Sequence, residues 1–302
     1  MSEIRCPDTR AFTLHYHDIP FYYWRMRKQI LLLLIAILYP LLLSAQERSA
    51  NQLDSQSLFR EVEAKQKENS AKMERYSYTL KRTVQELNDK GEVKKEKVYL
   101  YQVFPRRQAL PVILLLSEDG KALNDEKLAK EKIRVNKYWQ EHRNDAPKTK
   151  PGTETPWFQL MDFSVVDNER YEGRDVVVLS FKPRADSAPK NDGQKFLSGL
   201  KGEVWIDPAE KVIMKMQAEL TSVFSVSGLT GLFSSLRPGS VLTIENMPIG
   251  DGLWGGKRLE FGFIEKYPGV LLLPKTARTR NLDELSDYRP FDPEAKDLFA
   301  KP

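Results

Sequence analysis

The sequence predicts an α+β protein that is mainly β, built on one antiparallel sheet with helices packed on it. Most segments after the N-terminal region alternate apolar and polar residues with the period of two that half-buried strands require. The connections between these segments are short, and there is no repeating strand–helix–strand rhythm of the kind that parallel sheets need. Only two segments have clear helical spacing, so helices are the minority.

The N-terminal residues 1–45 have the three-part pattern of a secretory signal peptide. A positive region, Arg25–Lys28, precedes an apolar run over Ile30–Leu43, and the small residues Ser44 and Ala45 follow. We predict cleavage between Ala45 and Gln46, which releases a single domain over residues 46–302 into the periplasm.

Two alternatives concern this N-terminal region. A membrane anchor would need about 20 apolar residues, whereas this run is shorter and contains Pro40. Lipid attachment at the cleavage site is excluded because Gln46 stands where a cysteine would be needed. A signal of ordinary length would begin at Met26, and our hypothesis is that translation starts there.

Composition argues against several classes of function. The chain has 302 residues, 41% of them hydrophobic, which is enough for a core. Lys and Arg total 47 against 42 Asp and Glu, so the surface is nearly balanced and nucleic-acid binding is not expected. Cleavage would remove the sole cysteine, Cys6, and leave His142 as the one histidine. We therefore predict no metal site, no cofactor, no catalytic residue and no enzymatic activity.

The first half of the domain combines two helices with a hairpin. Leu58 and Val62 have helical spacing, and Asn124 or Asp125 can cap a second helix. A turn at Asn88–Gly91 joins the strands of the hairpin. The predicted elements are a helix at 54–72, strands at 76–84, 93–104 and 110–116, a helix ending near 142, and a loop at 144–156.

The second half reads as antiparallel strands. Along Val212–Leu220, alternate residues from Val212 are apolar, so we expect them all on one face. A hairpin turn is predicted at Asp251–Gly256, and residues 184–195 form a polar excursion. The remaining predicted strands are 177–181, 202–207, 240–247, 256–267 and one that begins near 270 and fades by 281.

Two features suggest an apolar cavity. Tyr76 and Tyr78 lie on a strand that adjoins the strand of Tyr99 and Tyr101. The second strand is apolar on both faces, which requires cover on both sides or a ligand on one. The segment Val223–Phe233 is apolar and has no charge. It is interpreted either as a buried connection or as a mobile flap over a cavity.

The order of these elements, with Gly202-x-Val204-Trp205-Ile206-Asp207 followed by the strand Val212–Leu220, resembles the lipoprotein-sorting carrier (LolA/LolB-like) superfamily of bacterial periplasmic proteins. The resemblance implies a curved antiparallel sheet, an incomplete barrel covered by helices, which encloses a cavity for acyl chains. It also implies that five apolar residues line this cavity: Met214, Met216, Leu220, Phe261 and Phe263. Tyr78 and Leu80 of the hairpin and Phe224 of the uncharged segment complete the candidate ligand-binding residues.

The function that follows is a periplasmic carrier or chaperone-like protein for acyl chains or lipoproteins. We expect a monomer that makes only transient contact with a membrane. The alternative is an envelope module that binds a protein partner, as in stress sensing, through an open sheet edge or an apolar surface, without lipid cargo.

Overall fold

The computed structural model describes residues 55–106, 109–142, 157–225, 235–268 and 274–299, which belong to one compact unit, Asn51–Pro302. Helix α1 covers residues 55–73, and the other helices are α2 (Asp125–His142), α3 (Trp157–Leu160) and α4 (Asp192–Leu197). The strands are β1 (Tyr76–Leu87), β2 (Val93–Arg106), β3 (Ala109–Glu118), β4 (Lys121–Ala122), β5 (Met161–Tyr171), β6 (Arg174–Pro183), β7 (Leu200–Asp207), β8 (Val212–Leu220), β9 (Phe224–Ser225), β10 (Ser235–Leu236), β11 (Val241–Gly250), β12 (Leu253–Pro268) and β13 (Pro274–Pro290).

These thirteen strands of the described residues form one antiparallel sheet. Its main path runs β4-β3-β2-β1-β13-β12-β11-β8-β7-β6-β5, while β10 pairs with β12 and β9 pairs with β10. The first hairpin and the later strands are thus joined by the pairing of β1 with β13. The sheet is curved and does not close, because β4 and β5 lie at opposite ends of the path. The predicted class, a mainly antiparallel incomplete barrel with helices, is confirmed.

The two long helices cover opposite faces of the sheet. Helix α1 buries Phe59 and Val62 against β5–β8, whereas α2 buries Val135 and Trp139 against Phe104 of β2. Residues paired across neighbouring strands have their side chains on the same face of the sheet. The pairs that start at Ala218, in the core under α1, end at Lys97 of β2, which lies on the face opposite Phe104. The successive partners are Ala218, Leu242, Phe261, Asn281, Val84 and Lys97. We call the two sides the α1 face and the α2 face.

The main core lies between α1 and strands β5–β8. Phe59 stacks on Phe163 with ring centroids 4.0 Å apart, and Val62 is fully buried. Ser55 Oγ donates to the Phe163 carbonyl at 2.9 Å, and Gln56 Nε2 donates to the Met161 carbonyl at 3.1 Å. The first turn of α1 therefore covers the start of the free edge of β5. The same hydrogen bonds fix the position at which the helix begins to cross the sheet.

The prediction that alternate residues of β8 share one face is wrong. Trp205 pairs with Lys215, but the next residue, Ile206, pairs with Ile213, so Met214 is an extra residue in a bulge. Val212 and Met214 consequently pack with Trp205 on the α2 face, while Met216 packs in the α1 core. One inserted residue reverses which side chains face the core.

Other predicted elements agree more closely with the structure. The turn at Asn88–Gly91 is present, and Asn88 Oδ1 accepts from the backbone N–H groups of Lys90 and Glu92, each at 2.9 Å. Asn124 caps α2 by accepting from the Lys127 N–H at 2.9 Å. The polar excursion contains the unpredicted short helix α4.

The end predicted for the last strand is wrong. Strand β13 continues to Pro290 instead of fading by residue 281, because β1 pairs along its length and Arg82 forms a bidentate ion pair with Asp283, at 2.7 and 2.6 Å. Several predictions lie outside the described residues: the signal peptide with its cleavage site at Ala45 and Gln46, the loop at 144–156, and most of the uncharged segment, residues 226–233.

Candidate functional site

A cavity of about 340 Å³ lies between the last turns of α1 and the sheet, and it is partly open to solvent. Its volume is within the range of small-ligand sites, near the lower end. We call it the α1 cavity. The helix contributes one wall, and strands β1, β2, β8, β11, β12 and β13 contribute the rest: Gln66, Asn69, Ser70, Met73, Glu74, Tyr78, Pro105, Val212, Ile213, Asn246, Trp254, Gly255, Gly256, Leu285 and Tyr288.

The helical wall is held to the sheet by one side chain. Asn69 Nδ2 donates to the Trp254 carbonyl at 2.5 Å, and Asn69 Oδ1 accepts from the Trp254 N–H at 2.8 Å. The amide thus pairs with both backbone groups of Trp254, much as a neighbouring strand would. These two hydrogen bonds hold the end of α1 against β12 beside the α1 cavity.

The sheet wall depends on the absence of side chains at Gly255 and Gly256. A Cβ atom at Gly255 would lie 2.8 Å from Cζ of Tyr288, so only glycine leaves room for that ring. The Tyr288 hydroxyl donates to the Gly256 carbonyl at 2.6 Å. The predicted turn before them is present, with Asp251 and Gly252 at positive φ, but the two glycines belong to β12.

Two tyrosines line the α1 cavity side by side. The rings of Tyr78 and Tyr288 have centroids 5.3 Å apart. Burial is the main cause that raises the pKa of the Tyr78 hydroxyl above its usual value, with the nearby Asp283 carboxylate adding to it. Burial also raises the pKa of Tyr288, and repulsion from the ionised form of the neighbouring Tyr78 raises it further. Both phenols are therefore neutral at physiological pH and present apolar rings to the cavity.

The eight predicted ligand-binding residues are not brought together. Tyr78 lines the α1 cavity, and Leu80 is buried two residues along the same strand. Met214 lies in the cluster on the α2 face, and Met216 and Leu220 are packed in the main core.

The remaining three predicted residues are only partly buried and pack around the edge of the main core. Phe224 meets Phe196 edge-on at 5.3 Å, while Phe261 and Phe263 stack at 5.6 Å. Contact of any of the eight with a ligand stays a prediction.

Sequence reasoning missed most of the cavity lining. Tyr288 and Leu285 lie beyond the predicted end of the last strand, and Met73 lies at the end of α1. The signal that could have found the site is the pair Gly255–Gly256 after an aromatic residue, since adjacent glycines within a strand permit the close approach of a ring.

The Trp-Ile-Asp sequence that carries the family resemblance has a structural role here. Asp207 Oδ1 accepts from the backbone N–H groups of Ala209 and Glu210, at 2.9 and 3.0 Å, and Oδ2 accepts from Arg174 at 2.9 Å. Burial acts to raise the pKa of Asp207, but these hydrogen bonds outweigh it and the pKa is lowered. Arg174 also lies over the Trp254 ring, 5.1 Å from its centroid. The sequence therefore builds the β7–β8 turn.

Within the described ranges, no group of three or more His, Cys, Asp or Glu side chains is placed to hold a metal ion. No helix among the same residues is long and apolar enough to cross a membrane.

The chain is similar to several solved protein structures. No protein-family profile matches the chain, and no curated protein matches its sequence. A domain from Vibrio parahaemolyticus described as an outer membrane lipoprotein-sorting protein domain shares 12% identity, covering 80% of this chain and 93% of its own, with a TM-score of 0.36.

Two further solved structures are similar to this chain. A DUF1329 family protein from Desulfovibrio piger has 9% identity, 82% and 95% coverage and a TM-score of 0.28. The Pseudomonas aeruginosa MucA/MucB complex has 12% identity, 79% and 99% coverage and a TM-score of 0.22. Similarity at this level does not transfer a ligand or a partner to this chain.

Proposed function

We propose that this protein is an exported, non-enzymatic carrier that binds acyl chains or lipoproteins in the α1 cavity. The cavity itself supports the proposal: it is about 340 Å³ in volume, and its sheet wall is mainly apolar, with Ile213 and Leu285 among its residues. Each methylene removed from water by such a wall contributes about 0.8 kcal/mol to binding. No covalent step is required, and a partly open cavity allows the chain to enter and leave.

A substitution that fills the α1 cavity tests this proposal. Met73→Trp places an indole in the cavity, and Ile133→Trp adds the same indole at a position of α2 that is 70% exposed. Binding of a fluorescent acyl probe should weaken about tenfold or more in Met73→Trp, since it removes the volume that the chain would occupy, and should not change in Ile133→Trp. Equal affinity in the two folded variants would contradict acyl binding in this cavity.

Export belongs to the same proposal and rests on the N-terminal sequence. We propose that residues 1–45 are removed and that the periplasmic protein begins at Gln46 as one domain. The intact mass of protein purified from the cell envelope should correspond to residues 46–302. A mass that includes the apolar run Ile30–Leu43 would exclude cleavage and favour an anchored form. Recovery of peptides from residues 1–25 in the unprocessed precursor would exclude translation from Met26.

A second candidate function, a module that binds an envelope protein, is favoured by the edge of β5. The start of this strand is blocked by α1, but Val165 and Val166 further along it are 37% and 54% exposed. An extended segment of a partner could pair with such an edge. A photo-crosslinking residue at Val166 should then trap a partner in cells, and one at Glu96, exposed on the first hairpin, should not. The same products from both positions would reject this function.

A further inference from the structure

The α1 cavity has an uneven distribution of charge. Glu74 is the one charged side chain among the described residues that line it, and no Lys or Arg is among them. Glu74 is half-buried, and no ion pair or hydrogen bond of its carboxylate is found within the described part of the chain. A half-buried carboxylate is stabilised more by a cationic partner than by water alone.

The end of helix α1 adds to this negative potential. The last helical turn, Ser70–Met73, borders the α1 cavity, and the carbonyl groups at a helix C-terminus carry about half a negative charge. The two cations that neighbour Glu74 in the chain do not line the cavity. Lys72 pairs with Glu68 at 2.7 Å, and Arg75 is exposed and is not part of the lining.

The two walls of the α1 cavity differ in polarity. Gln66 and Ser70 lie one turn apart on α1, and Glu74 directly follows the helix, where its N–H still donates to the Ser70 carbonyl at 3.3 Å. The three residues therefore form one stripe along the helical wall. The sheet wall opposite is apolar and aromatic, with the neutral rings of Tyr78 and Tyr288 beside Leu285. Aromatic faces of this kind attract cations as well as alkyl groups.

We propose that the α1 cavity selects an amphiphile with a cationic head group, such as an ammonium, and discriminates against fatty acids and other anionic lipids. This inference rests on the proposed binding function and specifies its ligand. The head group lies against Glu74 and the end of α1, and the alkyl chain lies against Ile213 and Leu285. A carboxylate or phosphate head would instead face Glu74 with no basic side chain in the described lining to offset it.

Calorimetric titration with three probes of equal chain length tests the selection: decyltrimethylammonium, decanol and decanoate, each below its micelle concentration at neutral pH. The folded wild-type protein should bind the cation about tenfold more tightly than decanoate. Glu74→Gln should weaken binding of the cation by about fivefold and leave decanol unchanged, because only the charge is removed. Glu74→Lys should reverse the order of the two charged probes.

Glu68→Gln is the matched control, since it removes a carboxylate from the exposed side of the same helix, where Glu68 pairs with Lys72. It should leave all three affinities unchanged. Decanol binding without preference for the cation, or a preference that survives Glu74→Gln, would overturn the proposed selectivity while the cavity stands as a binding site. No binding of any of the three probes would overturn both the selectivity and the proposed function.

Discussion

Asn69→Ala should loosen the helical wall of the α1 cavity and destabilise the protein. The substitution removes both hydrogen bonds to the backbone of Trp254, at 2.5 and 2.8 Å. Each such bond contributes about 1 kcal/mol net, so the loss is about 2 kcal/mol. For a chain of this size the melting temperature changes by roughly 2–4 °C per kcal/mol, which predicts a decrease of about 4–8 °C.

Thermal unfolding followed by circular dichroism, together with acyl-probe titration below the transition, measures both effects of Asn69→Ala. Probe affinity should fall as well, because the end of α1 is no longer fixed beside β12. Gln66→Ala is the control: it lies one helical turn earlier on the same wall, its side chain makes no hydrogen bond to another described residue, and stability should change by less than about 0.5 kcal/mol. If both variants melt at the same temperature, Asn69 does not hold the helix as argued.

Three further predictions follow from single positions. Gly202→Ala places a Cβ atom 1.9 Å from a backbone carbonyl oxygen of the neighbouring strand, so it should lower the free energy of unfolding, measured by denaturant titration, by about 3 kcal/mol or more. Gly193→Ala should not lower it, and equal free energies for the two variants would contradict the strand spacing. The pKa of Asp207 is lowered in the folded state, so the stabilisation from its ionised form is present above the ordinary value of 3.8 and is lost as the pH falls below it. The melting temperature of Asp207→Asn should therefore vary less below about pH 4 than that of the wild type. Parallel curves of melting temperature against pH for the two proteins would refute this role. Met216→Ala, at a core position that is 5% exposed, should cost about 2–5 kcal/mol in urea unfolding without changing the probe affinity of the folded protein; a loss of affinity would return Met216 to the ligand site.

Local signals accounted for most of the secondary structure. Asn88 and Gly91 specify a turn through their own backbone preferences, and Asn124 caps α2 through a residue three positions along. Such interactions involve neighbours in the chain, so they can be inferred from the order of residues. The length of β13 could not, since the end of this strand is held extended by pairing with β1 from about 200 residues away.

The candidate site was predicted less well than the fold, for a related reason. Met214 and Met216 look equivalent in the sequence, because both fit one alternating pattern. The bulge that separates them arises from pairing with β7, where Ile206 meets Ile213 in place of Met214. A shift of one residue transfers a side chain to the other face of a sheet, and periodicity within one strand does not report it.

The sequence by itself determined the class of fold, the near-balance of charge, and the scarcity of cysteine and histidine, and its N-terminal pattern predicts an export signal, because these depend on composition and short-range spacing. The tertiary structure alone decided that Tyr78, Tyr288 and the end of α1 enclose a cavity, and that Glu74 is its one charged side chain among the described residues. These residues come from strands and a helix far apart in the chain. Their meeting is set by strand order, a bulge and the glycines that admit a ring, which are consequences of long-range packing.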